Sequence, residues 1–172
     1  YAKIGIRAGA NVPFLRSKKI SKSNSSIDDA ILEFVKWTQI NRKNVSLKFK
    51  YLILLLPTQP FRKLDDLKKA FKLFKNKINT VLSVKNLNRS NEFIFKIDNS
   101  QIKLKKKMKV RNRQFINTNF TTCGCFYLTN ISSFIQSRTI YNPRMKAYET
   151  KFPYNLDIDS PVDLKLAQLL YK

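Results

Sequence analysis

The chain has 172 residues, enough for one domain with its own core, and 43% of them are apolar, so it is not a disordered chain. Lys and Arg number 34 against 11 Asp and Glu, a formal charge of +23, and there is no histidine. The lack of histidine excludes Ser-His-Asp and Cys-His hydrolase chemistry, and two cysteines are too few for a structural zinc site.

In chain order, Tyr1-Ala2-Lys3-Ile4-Gly5-Ile6-Arg7-Ala8-Gly9 reads as the last turns of a helix closed by glycine, so the sequence is expected to continue upstream of Tyr1. Asn11-Val12-Pro13-Phe14-Leu15-Arg16 reads as a short strand, and residues 17–26 as a polar loop rich in Ser and Lys. Residues 27–39 carry Ile27, Ile31, Phe34, Val35 and Trp37 on one helical face. The unbroken apolar run 51–56 predicts a buried strand of a parallel sheet. Pro57-Thr58-Gln59-Pro60-Phe61-Arg62 ends it as a rigid loop. A helix follows over 64–75, with Leu67, Ala70, Phe71 and Phe74 inward, then a strand over 80–84. Residues 93–104 read as a polar hairpin, 124–129 as a strand, 131–136 as a short helix and 145–148 as a further strand. Strands and helices alternate, which predicts one α/β domain over 1–172, doubly wound around a mostly parallel sheet.

The C-terminal segment Leu156-Asp157-Ile158-Asp159-Ser160-Pro161-Val162-Asp163-Leu164 is the most pointed. On a strand, Asp157 and Asp159 leave the same face. Two like charges facing one spot repel, and a bound cation is the usual reason to tolerate that. The plainer reading makes them turn-forming acids. Ser160 suits an N-cap, Pro161 a first helical turn and Asp163 the acid of a capping box. Leu164, Leu166, Ala167, Leu169 and Leu170 then give an apolar helical face. The pair is thus expected at a strand end just before a helix, where open α/β sheets hold ligands.

The positive charge is spread along the chain, with one dense run over 103–113. It comes without RNA-binding aromatic submotifs, paired zinc ligands or a basic zipper, so no specific nucleic-acid partner is expected. A polyanion such as a nucleoside triphosphate should still be attracted. No apolar run approaches a membrane span, and no secretory signal pattern occurs, so no membrane partner is expected. Cys123 and Cys125, two apart, would make a strained disulfide, and a reduced, cytoplasmic setting fits best.

Four segments carry a resemblance. Leu54-Leu55-Leu56-Pro57-Thr58-Gln59-Pro60-Phe61-Arg62 resembles the L-x-Q-P-T-S-P-L-R loop of the acylneuraminate cytidylyltransferases, the CMP-sialic acid synthetase family. Val12-Pro13-Phe14-Leu15-Arg16 is similar to that family's V-P-F-L-R segment. Arg113-Gln114, ten residues before Cys123-Gly124-Cys125-Phe126-Tyr127, is similar to its R-Q … N-G-A-I-Y block, and 157–164 to its D-I-D-T-P-E-D-L ending. The four fall in the family's order and span nearly the whole chain.

The resemblance implies a fold of the nucleotide-diphosphosugar transferase type and transfer of CMP from CTP to a nonulosonic acid with release of pyrophosphate. It implies Mg²⁺ as the cofactor, held by Asp157 and Asp159. Arg113 would hold an anion, sugar carboxylate or phosphate, unless it is only an exposed member of the basic run. Tyr127 would line the sugar pocket, or else be a core aromatic. Gln114, Gly124 and Tyr141 fall with the substrate contacts. Arg16 would neighbour the nucleotide or bridge to the sheet, and Asn24, Ser25 and Ser26 fall where the family contacts base and ribose. Thr58 and Pro60 shape the loop, and Arg62 is either a helix-start surface residue or a ligand contact. The family also implies a homodimer through residues 130–148.

The departures bear on the sugar. Leu56 stands where the family has glutamine, Cys123 where it has asparagine, Gln59 where it has a small residue, and Ser23 where an acid is common. The family's first strand and its A-R-x-G-S-K-x-x-x-K-N phosphate loop do not occur in these residues. The expected fold therefore lacks an N-terminal βαβ unit, and these 172 residues alone are expected to be inactive. Two rivals remain: a catalytically inactive basic binding module on the same fold, and a sugar nucleotidyltransferase of the deoxy-manno-octulosonate type.

Overall fold

The computed structural model describes residues 1–41, 49–74, 77–87, 96–98, 101–103 and 119–171. Helix α1 (Ala2–Arg7) opens the chain, and Gly9, at φ +84, follows it. Residues 11–17 are not a strand: the segment is irregular and leads to a 3₁₀ turn at Lys18–Ile20. Its apolar residue Phe14 stacks on Phe34 and Trp37 instead of feeding a sheet. Helix α2 (Ile27–Asn41) follows, then strand β1 (Tyr51–Leu54), helix α3 (Leu64–Phe71) and strand β2 (Thr80–Asn86). A small antiparallel hairpin, β3 (Lys96–Asp98) with β4 (Gln101–Lys103), lies where the polar hairpin is predicted. Strand β5 (Phe120–Asn130), helix α4 (Ile131–Ser137), strand β6 (Met145–Glu149) and helix α5 (Pro161–Leu170) complete the order.

The main sheet runs β1-β5-β2-β6. β5 is antiparallel to both β1 and β2, whereas β2 and β6 are parallel. Three strands therefore point one way and β5 alone runs against them, so the described sheet is mixed, with β2 and β6 its parallel pair. Alternate side chains of β2 and β5 feed opposite faces. Leu82 and Tyr127 pack with Ile31 and Val35 of α2 and Ile131 and Phe134 of α4. Val81, Phe126 and Leu128 pack with Ala70 of α3 and with Cys123 and Cys125. Helices on both faces make the fold doubly wound. Both cysteines are free and buried.

β1 departs from its reading as a buried strand. Within the described residues it pairs only with β5, and Ile53 is 50% and Leu55 44% exposed. Helix α5 likewise buries only Ala167 of its apolar face.

Where β2, β5 and the β6 entry meet, a buried polar thread replaces hydrocarbon. Thr80 Oγ1 and Thr129 Oγ1 lie 3.0 Å apart, Asn142 Nδ2 donates to Thr80 Oγ1 at 2.7 Å, and Thr129 Oγ1 donates to the Asn79 carbonyl. Each partner satisfies the next, which is the condition for burying such groups. The thread fixes the β6 entry loop, and with it Tyr141, against the sheet.

Candidate active site

The site begins at the end of β1. Pro57 and Pro60 stiffen the loop, and the Gln59 N–H closes a turn on the Leu56 carbonyl at 3.2 Å. Arg62 is half-buried, and two of its five N–H donors are committed to the main chain. Its Nε donates to the Cys125 carbonyl at 2.9 Å and its Nη2 to the Leu56 carbonyl.

Opposite this loop, β5 bulges. Leu82 pairs with Tyr127 and Val84 with Thr122, so β5 carries extra residues between the two pairs. The Ser83 hydroxyl fills the broken ladder, donating to the Phe126 carbonyl at 2.9 Å and accepting from the Phe126 N–H at 3.0 Å. Gly124 sits in the bulge at φ +74. A Cβ there would meet Leu56 Cδ1 at 2.9 Å and Gln59 Cγ at 3.7 Å. Glycine thus serves both the backbone and the close approach of the loop. Gly124→Ala is expected to destabilise by about 1–2 kcal/mol from the left-handed backbone alone. Chemical denaturation measures this. Because the backbone term is independent of the contact, Leu56→Ala should not restore the loss fully.

The acidic segment docks on the same loop. It is not a strand: residues 156–159 are irregular, which corrects the strand-end placement. Asn155 Nδ2 donates to the Thr150 carbonyl at 2.8 Å, and the Ile158 N–H donates to the Thr58 carbonyl at 2.9 Å. A single loop-to-loop hydrogen bond does the positioning expected of a sheet. Asp157 is half-buried, and its Oδ1 is buried with no hydrogen-bond partner. Asp159 is exposed.

The helix start is as predicted. The Ser160 side chain accepts from the Asp163 N–H, Asp163 Oδ2 accepts from the Ser160 N–H at 2.8 Å, and Pro161 opens α5. The Ser160 hydroxyl, foremost, holds the Asp163 carboxyl below its usual range, so that acid is committed to the cap.

Among the described residues no group of three or more His, Cys, Asp or Glu could enclose a metal. Mg²⁺ is held by few protein carboxylates and keeps water and phosphate oxygens for its other positions, and in this segment Asp157 offers one buried oxygen without a partner.

On β5, Tyr127 is buried, and burial, followed by Tyr141, pushes its phenol up to about 12. Tyr141, the second influence on that phenol, is 49% exposed, so Tyr127 has a neighbour open to solvent. Tyr127 therefore belongs to the core, with a neighbour near the surface. An unfolded Tyr127 ionises near its ordinary value of 10.0, before the folded one does. The stability this phenol contributes is full below pH 10 and is lost as pH rises towards about 12. Denaturation midpoints across that window should fall less steeply for Tyr127→Phe than for the unaltered protein.

The polar loop is less telling. Arg16 and Asn24 are exposed. Ser25 Oγ accepts from the Lys22 N–H, and Ser26 Oγ accepts from the Asp29 N–H at 3.0 Å, which caps α2. Thr58 is exposed, with its carbonyl committed to Ile158. Arg113 and Gln114 lie outside the described residues. The structure thus brings Thr58, Gly124 and the Asp157–Asp159 segment around one loop, and sets Tyr127 near Tyr141.

Two residues named in the sequence reading take settings that it did not give them. Gln59 is fully buried with neither amide atom partnered. Arg62 holds the loop through two carbonyls. The signal available was their place in a proline-bounded loop opposite a glycine-bearing strand.

No protein-family model matches the chain. It is similar to the CMP-N,N'-diacetyllegionaminic acid synthase of Legionella pneumophila, 24% identical over 172 residues, which cover 98% of this chain and 72% of that protein. It is also similar to the pseudaminic acid cytidylyltransferase of Campylobacter jejuni, 23% identical over 175 residues, covering 99% and 73%. Among solved structures, a 4-diphosphocytidyl-2C-methyl-D-erythritol synthase from Anaerococcus prevotii superposes with a TM-score of 0.57 at 11% identity, over 99% of this chain and 75% of that one, and so shares its fold. The resemblance read from the four segments is borne out by these relatives, and the nucleotidyltransferase-like fold by the superposition.

Proposed function

Taking the chain as a relative of the acylneuraminate cytidylyltransferases, we propose that it transfers CMP from CTP to a nonulosonic acid and releases pyrophosphate. The support is the naming of both relatives as CMP-forming or cytidylyl-transferring proteins of such acids. The observation that carries the reading is Asp157 Oδ1. A buried carboxylate oxygen without a partner is costly, and it is held beside the Pro57–Pro60 loop by the Ile158–Thr58 hydrogen bond.

The reaction is chiefly positioning and charge neutralisation: the sugar's anomeric hydroxyl attacks the α-phosphate and pyrophosphate leaves. Asp157 and Asp159 are the residues that would hold Mg²⁺, which when bound neutralises phosphate charge. Arg113 and Gln114 hold anionic and polar groups of the substrates. Thr58 presents its hydroxyl at the loop. Gly124 lets the loop approach β5. Tyr127, through the exposed Tyr141, lines the sugar side. Arg16, Asn24, Ser25 and Ser26 are assigned to the nucleotide, with the Ser26 hydroxyl already committed to the α2 cap.

The cytoplasmic setting follows from dependence on CTP, and a homodimer through residues 130–148 belongs to the same reading. Among the described residues no helix is long and apolar enough to cross a membrane. The test is pyrophosphate release by the protein at its native length, given CTP, Mg²⁺ and a panel of nonulosonic acids. Release dependent on one acid class is expected. No release with any acid would sink the proposal.

A further inference from the structure

We propose that Arg62 is the positioning residue of this site, fixing the two carboxylates without touching a substrate; the inference rests on the metal assignment above. The bulge explains the need for it. Where β5 departs from β2, the Phe126 N–H and carbonyl are taken by Ser83, and Arg62 takes the Cys125 carbonyl. A guanidinium offers Nε–H and one Nη–H side by side on one edge, so a single side chain can bind two carbonyls from different segments. Here the second carbonyl is that of Leu56, the residue that starts the Pro57–Pro60 loop.

Arg62 therefore ties the first residue of the loop to the bulged strand. Two residues on, the Thr58 carbonyl accepts the Ile158 N–H at 2.9 Å, and Asp157 and Asp159 are the neighbours of Ile158 on either side. The route from guanidinium to carboxylates passes through hydrogen bonds and one stiff dipeptide. A lysine has the charge but a single ammonium point, and cannot grip both carbonyls in this edge-on manner.

The experiment compares unaltered protein, Arg62→Lys, Arg62→Gln and Ser83→Ala, all at native length. Ser83→Ala removes the other side chain that patches the bulge, and so reports what mere destabilisation does. Mn²⁺ with CTP is the metal probe, followed by the change in its paramagnetic resonance spectrum. Deuterium exchange of the peptide containing Ile158 follows the loop contact. Both Arg62 variants should bind Mn²⁺ about tenfold more weakly, exchange Ile158 faster and lower kcat about 10²-fold with little change in KM for the sugar acid. Ser83→Ala should lose stability and keep Mn²⁺ affinity.

Equal Mn²⁺ affinity in all four proteins, with normal turnover by the unaltered one, overturns the role of Arg62 alone. So does weakening by Ser83→Ala equal to that by Arg62→Lys. Weaker Mn²⁺ binding confined to the Arg62 variants, with no turnover of any acid by the unaltered protein, overturns the reaction and keeps the assignment. If Arg62→Gln fails to fold, Arg62→Lys decides. No Mn²⁺ binding by any of the proteins overturns both.

Discussion

Asp157→Asn is expected to cut turnover by about 10²–10³-fold while leaving the fold intact or slightly firmer. The asymmetry follows from the surroundings of the side chain. Asp157 Oδ1 is buried and accepts no hydrogen bond, so no protein bond at that oxygen is lost on substitution. Replacing the carboxylate with an amide of the same shape removes a buried charge and no existing contact at that oxygen. A residue whose removal helps stability and harms activity is serving function. Asp159→Asn should behave similarly in rate, because its recorded bond to Asp163 is made by its backbone N–H and survives the change. The measurements are pyrophosphate release against Mg²⁺ concentration and denaturation midpoints for both variants. An unchanged rate with unchanged Mg²⁺ dependence in Asp157→Asn would remove the metal assignment.

What could be read ahead of the structure divides by range. The α5 start was legible in full because Ser160, Pro161 and Asp163 act within one turn. The Gly9 helix end and the β3–β4 hairpin are local in the same way. The setting of Asp157 was not legible. Alternation of acid and apolar residues suggested a strand, but the partner of Ile158 is a loop carbonyl 100 residues away. The unbroken run in β1 suggested two covered faces, and hydrophobicity alone does not say which neighbours exist; Ile53 is half exposed. Residues 11–16 had strand-like alternation with no strand to pair with, and Phe14 went to the aromatic face of α2. Arg62 was weighed as a surface residue or a ligand contact, and its actual partners are main-chain carbonyls, which carry no residue identity to read.

These 172 residues by themselves are not expected to make a CMP-sugar. Holding a triphosphate usually calls on backbone N–H groups turned inward by glycine, in a loop able to follow the phosphates. The chain has three glycines. Gly5 lies inside α1, Gly9 ends that helix, and Gly124 sits packed against Leu56 and Gln59 in the β5 bulge. None is left for a phosphate loop. The 34 Lys and Arg attract CTP from a distance but do not orient it, and a small misplacement of the α-phosphate from the attacking hydroxyl is costly in rate. A cation held by Asp157 and Asp159, as proposed, does not by itself align a triphosphate. The edge of β1 with exposed Ile53, and the exposed leucines 164, 166, 169 and 170 of α5, should also make this stretch poorly soluble when expressed alone. The assay is to incubate the purified 172 residues with CTP, Mg²⁺ and each nonulosonic acid, and to follow pyrophosphate. Release that depends on one acid and vanishes in Asp157→Ala would overturn this expectation, and would mean that the triphosphate is cradled by side chains, the lysines foremost, instead of by a glycine loop.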